Sequence, residues 1–205
     1  EYLSGNVKRK LHAALAASLI VLLASVGYPQ GPTPSPPDTP DFRVQVFGYI
    51  VADFSTRVES YLELRHSLEE GLPPLTVTDD PAEIERAELA LARRIRAARP
   101  GARQGEILTP DIAAEFRRVI RLEMTPDIRA AIRDDNPGSF SHRINGTYPK
   151  EQPVSTVPGN ILALLPRLPD DIQYRFLGRS LVLHDIRANV ILDRIRCAIQ
   201  CTEER

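Results

Sequence analysis

Few side chains of this chain sit where catalytic or binding chemistry is usually assembled, and those few fall in a handful of places. His184-Asp185 lie in one short apolar run and Asp193 in the next, so paired strands would bring an imidazole near two carboxylates. Such a set can hold a metal or orient a substrate. Polar residues alternating with apolar ones also make the solvent face of a hairpin, which is the favoured reading here. The segment Arg99–Glu106 (RPGARQGE) places Arg99, Arg103 and Glu106 around two glycines. Guanidinium forks in a pliable loop can clamp a carboxylate or phosphate. The favoured alternative is internal, with Arg103 paired to an acidic group that pins the loop.

Cys197 and Cys201 form C-x3-C. Four residues apart in a strand, their Cα atoms would be ~13 Å apart, beyond disulfide range. On a helical turn they approach to ~6 Å. A structural bridge therefore requires the chain to coil after Ile195. The spacing is not that of a C-x-x-C redox pair, and two cysteines without a nearby histidine make a poor metal site. Glu63 and His66 match the E-x-x-H step of di-iron bundles, but the second step such sites need is missing, so a solvated helix face is expected. Ser139, Ser141 and His142 share a polar loop, yet neither serine stands in a nucleophile elbow. No phosphate-cradling loop, zincin motif or dinucleotide fingerprint occurs, so neither a metal nor a cofactor is expected. Without tryptophan, and with 6% aromatics, a carbohydrate-stacking platform is poorly supported.

The elements that would position these residues follow from periodicity and punctuation. Apolar residues at helical spacing (Phe47, Ile50, Val51, Phe54, Val58, Tyr61, Leu62, Leu68) predict a long helix from Phe42 to Glu70, stopped by Gly71 and Pro73-Pro74. Asp80-Pro81 opens a second helix, with glutamates early and arginines late, ended by Pro100-Gly101. Thr109–Ile112 and Thr125–Ile128 share the tetrapeptide Thr-Pro-Asp-Ile, a threonine cap before proline, and start two more helices. A polar loop follows from Asp134 to Pro153, with Asn136-Pro137-Gly138 and Asn145-Gly146 as turns. A short helical turn over Gly159–Leu165 comes next. The period then becomes extended: Gln173–Leu177, Ser180–Ile186 and Val190–Ile195 lie at hairpin distances. The expected fold class is α+β, with a C-terminal three-stranded antiparallel meander packed on the long first helix. Leu181, Leu183, Val190 and Leu192 should face inward, against a stripe running from Val44 to Leu68.

Upstream, Lys8-Arg9-Lys10 precede an apolar run from Leu11 to Val26, then small residues. Basic, apolar and small segments in that order read as a secretory signal peptide over residues 1–27, cut before Tyr28. The run is 16 residues, short of the ~20 a spanning helix needs, which leaves an uncleaved N-terminal anchor as the lesser alternative. Residues 28–41 form a Pro-rich linker, with five prolines in Gly31–Pro40. Residues 42–205 are expected to make a single exported domain. A net charge of −1 offers no bulk field for nucleic acid. The bias to arginine (Lys8, Lys10 and Lys150 are the only lysines) is best explained by coding composition.

Three blocks carry a resemblance: Tyr61–Leu75 (YLELRHSLEEGLPPL), Ile95–Leu108 (IRAARPGARQGEIL) and Tyr174–Asp193 (YRFLGRSLVLHDIRANVILD). Together they resemble an uncharacterised family of exported bacterial proteins of soil-type lineages. That resemblance implies an envelope protein and no assigned activity, so no catalytic residue follows from it. The expected role is a non-catalytic periplasmic or cell-envelope protein that binds an envelope protein or component. It would touch the membrane only through an uncleaved leader. The alternative is a small exported hydrolase or metal-dependent enzyme using His142 or His184 with nearby carboxylates. Arg99, Arg103, Glu106, His184, Asp185 and Asp193 are the candidate ligand-binding residues.

Overall fold

Three of the helices start where their capping chemistry directs. A computed structural model describes residues 40–73, 78–135, 143–150 and 155–199. The segment expected to be a signal peptide, most of the expected linker, His142 and Cys201 lie outside them. Helix α1 (Pro40–Glu69) is the long first helix, and Leu72 N–H closes its end on Glu69 O at 2.8 Å. Arg94 of the next helix adds a cap, donating to Leu68 O and Gly71 O. Helix α2 (Pro81–Ala98) begins with Asp80 accepting from Ala82 N–H at 2.9 Å. Helices α3 (Pro110–Glu123) and α4 (Pro126–Asp134) begin with Thr109 and Thr125 accepting from Ile112 and Ile128 N–H. All three have proline at the first position, where its missing N–H costs nothing. A single turn, α5 (Gly159–Leu162), leads toward the sheet.

The C-terminal strands β1 (Ile172–Leu177), β2 (Ser180–Asp185) and β3 (Val190–Ile195) form an antiparallel sheet in the order β1-β2-β3. The fold is α+β, helices first and meander after. Gly178, at φ +56, makes the two-residue turn between β1 and β2. β2 and β3 pair with one irregularity: His184 faces Ile191, Leu183 faces Asp193, and Leu192 has no partner. This bulge shifts the alternation by one residue, so Leu192 and Asp193 both serve the helix-facing side.

Two details depart from expectation. The cover over Leu181, Leu183, Val190 and Leu192 is shared by three helices, because α1 alone is too narrow. Phe54, Val58 and Tyr61 of α1 join Leu91 and Ile95 of α2 and Phe116 of α3 in one apolar cluster with the sheet. Phe54 sits edge-on to Phe116 at 5.3 Å and stacks on Tyr174 at 6.2 Å. Val44 is 69% exposed, so the α1 stripe does not begin there. The other face of the sheet is also closed: Tyr148, Leu177, Val182 and Ile191 form a second buried cluster. Residues 143–150 line the β3 edge, through an antiparallel bridge from Thr147 to Val190 and paired bonds between Ile191 and Asn145 and Gly146. A sheet buried on both faces has no solvent side for His184, Asp185 or Asp193, which are all buried.

Candidate functional site

The sequence candidates divide among three networks. Asp193 lies beneath the 99–108 loop. Its Oδ2 accepts from Ile107 and Leu108 N–H, both at 2.8 Å, and from Gly105 N–H at 3.1 Å. Its Oδ1 accepts from Gly105 N–H at 2.9 Å and Arg194 N–H at 2.7 Å. Gly105 has φ +92, a backbone state that suits glycine, and this aims its N–H at the carboxylate. The carboxylate thus gathers the loop entering α3 with backbone donors alone, much as a bound anion would.

The loop is pinned internally, but not through the Arg103 side chain. Arg103 contributes its backbone N–H, to Glu106 Oε1 at 2.9 Å, while its side chain is exposed. Arg99 does the pairing: one nitrogen meets Glu106 Oε2 at 3.1 Å, another meets Asn145 Oδ1 at 3.2 Å, and its guanidinium lies 5.5 Å from the Tyr61 ring centre. Asn145 returns an amide N–H to Arg99 O, with φ +61 in the turn expected at Asn145-Gly146.

Asp185 closes the β2–β3 turn and receives α1. Its Oδ1 accepts from Arg187 and Ala188 N–H at 2.9 and 3.0 Å. Its Oδ2 accepts from the Tyr61 hydroxyl at 2.6 Å and from Arg65 at 3.3 Å. Burial, then the Asp185 charge beside it, pushes the Tyr61 hydroxyl far above its usual range and keeps it a donor. Arg65 also reaches Asp171 at 3.0 Å, and its Nε stands 3.8 Å from Glu69 without a hydrogen bond among the described residues. Burial disfavours its charge, but Asp185, Asp171 and Glu69 outweigh that and hold its pKa above the ordinary value.

His184 lies on the opposite face. Arg175 Nε donates to its Nδ1 at 3.3 Å, which places the ring proton on Nε2, 2.9 Å from Asn189 Oδ1. Tyr148 packs on the imidazole with ring centres 5.1 Å apart, and Asn189 donates onward to Tyr148 O. Burial holds the His184 pKa down to about 4, helped by nearby Arg175. Arg175 also donates to Ser155 O, and Ser155 Oγ to Phe176 O. Both ring nitrogens are engaged, which leaves no lone pair for a base and no ligand atom for a metal. Among the described residues no group of three metal-ligating side chains converges, and Glu63 and His66 are exposed on α1.

The structure thus separates His184 from Asp185 and Asp193, which serve different faces and different loops. Cys197 is disulfide-bonded and takes φ +52, so the chain turns sharply after β3; Cys201 is the chain's other cysteine. No family model, curated protein or solved structure matches this chain. Sequence reasoning passed over Arg65, Tyr61, Arg175 and Tyr148. A signal existed for Arg65, a cation on the buried stripe one turn after Tyr61. None existed for the other three, since their partners lie far along the chain.

Proposed function

We propose that this chain is an exported, non-catalytic cell-envelope protein that acts by binding another protein or an envelope component. One observation carries the non-catalytic part. The polar atoms of Asp185, Asp193 and His184 are already occupied by the protein's own donors and acceptors. Groups committed in this way brace loops and helices; a reacting substrate would have to displace the bonds that hold the fold. The N-terminal order of basic, apolar and small residues supports export, as does the resemblance of the three blocks named above to exported bacterial proteins. The test is fractionation followed by mass spectrometry, with a mature chain beginning about Tyr28 expected in the envelope fraction. Pull-down from that fraction should recover a partner. Full-length protein found in the cytosol, with no partner recovered, would overturn the reading.

A further inference from the structure

Between α3, α4 and the turn after β3 runs a groove of about 640 Å³. Four of its nine lining residues are arginines (Arg117, Arg121, Arg129 and Arg196), and none is acidic. The chain as a whole has net charge −1, and several of its arginines are paired with acids at close range: Arg65 with Asp185, Arg99 with Glu106, Arg118 with Glu115. In the groove they are not. The side chains of Arg121, Arg129 and Arg196 make no hydrogen bond or ion pair among the described residues. Arg117 donates from two nitrogens, at 3.2 and 3.1 Å, to the carbonyl of Arg196, a neutral acceptor that fixes its position without cancelling its charge. The crowding reaches the neighbouring strand, where burial first and then Arg196 lower the pKa of Arg194.

The frame around these charges is rigid. Arg117, Arg121 and Met124 share one face of α3, at helical spacing. The opposite wall is the turn held by the disulfide-bonded Cys197 and by Ile199 N–H on Arg179 O at 3.2 Å. The floor is apolar: Ile120 and Ala198 are buried, and Met124 and Ile199 pack against the main core. Unpaired guanidinium groups around an apolar floor match an anion that carries a greasy body.

We propose that this groove binds an amphipathic anion, with a phosphate or carboxylate headgroup on Arg121, Arg129 and Arg196 and an apolar body along Met124 and Ile199. The proposal rests on the binding reading above and gives it a ligand chemistry.

Calorimetric titration of the full chain at low salt tests it, with octyl phosphate, octanoate, inorganic phosphate and octyl glucoside as probes. One of the two amphipathic anions should bind saturably, at one per chain, and more tightly than inorganic phosphate; the neutral glucoside should not bind. Which of the two is tighter decides between phosphate and carboxylate. The Arg121→Ala/Arg129→Ala variant should weaken that binding by about tenfold or more. Arg133→Ala, exposed on α4 outside the groove, should not. Arg129→Glu alone keeps the test intact if the double variant loses its fold. Absence of saturable binding by both anions, equal binding of the glucoside, or indifference to the arginine variants would each overturn the proposal. Full-length protein in the cytosol and an empty pull-down, with saturable binding of either anion intact, would remove the envelope reading alone, and the reverse pattern would remove the groove alone.

Discussion

The two faces of the sheet are both sealed, but by different chemistry. Toward the helices lies a broad aromatic and aliphatic core, in which the carboxyl groups of Asp185 and Asp193 reach outward to hold distant backbone and side chains. Toward the 143–157 side lies a small cluster of four residues, Tyr148 among them, bordered by a neutral imidazole and one guanidinium. On the first face both carboxyl groups hold hydrogen bonds on each oxygen. The second carries a group whose charge is suppressed by burial. The contrast teaches that buried polarity acts as a fastening on one side and as a titratable weak point on the other.

The most severe way to break the comparison is Asp193→Ala. It strands the N–H groups of Gly105, Ile107 and Leu108, each buried donor costing about 1–3 kcal/mol when unpaired, so a loss of about 3–5 kcal/mol is expected in urea unfolding. A loss under about 1 kcal/mol would mean that water replaces the carboxylate and that the fastening is dispensable. Leu183→Ala, in the core beside it, should cost about 2–5 kcal/mol.

The opposite face should show itself through pH. His184 titrates near 4 in the folded state and near 6.5 when unfolded. Between those values only the unfolded chain takes up the proton, so stability is full above about pH 6.5 and falls as the pH drops toward 4. The expected loss is on the order of 2–4 kcal/mol, and the His184→Gln variant should lack that share of the acid sensitivity. Identical pH profiles for variant and parent would place the weak point elsewhere. Tyr61→Phe removes one donor to a charged acceptor and should cost about 1–3 kcal/mol, sharpening the value of the helix-side fastening. Arg103→Ala should shift the melting temperature by almost nothing, within about 0.5 kcal/mol, because its side chain is exposed and only its backbone N–H is used.

Much of the frame was legible because its causes are local. Asp80, Thr109 and Thr125 announce helices by capping, and Leu181 and Leu183 announce a strand by alternation. The roles of the polar residues were not, because they depend on partners far away in sequence. Asp193 was read as solvent-facing on the premise of unbroken alternation, and the unpaired Leu192 breaks it. His184 was read the same way on the premise of one open face, and Tyr148, packed on its ring and on Val182 and Ile191, covers that face. Arg103 and Arg99 are equally arginine in composition, and only the fold shows which one meets Glu106.

The separations of these contacts bear on how the chain acquires its structure. Tyr61 meets its acceptor 124 residues away, and Ile107 meets Asp193 across 86. The hairpins can close early, since their loops are short, whereas Tyr61 of α1 and the 103–108 loop lack their carboxylate partners until β2 and β3 exist. During synthesis from the N-terminus, the helices therefore wait for the meander with their apolar faces uncovered. A chain ending before Ser180 lacks the acceptors for Tyr61, Ile107 and Leu108 alike, and should behave as a collapsed, dye-binding ensemble without fixed tertiary packing.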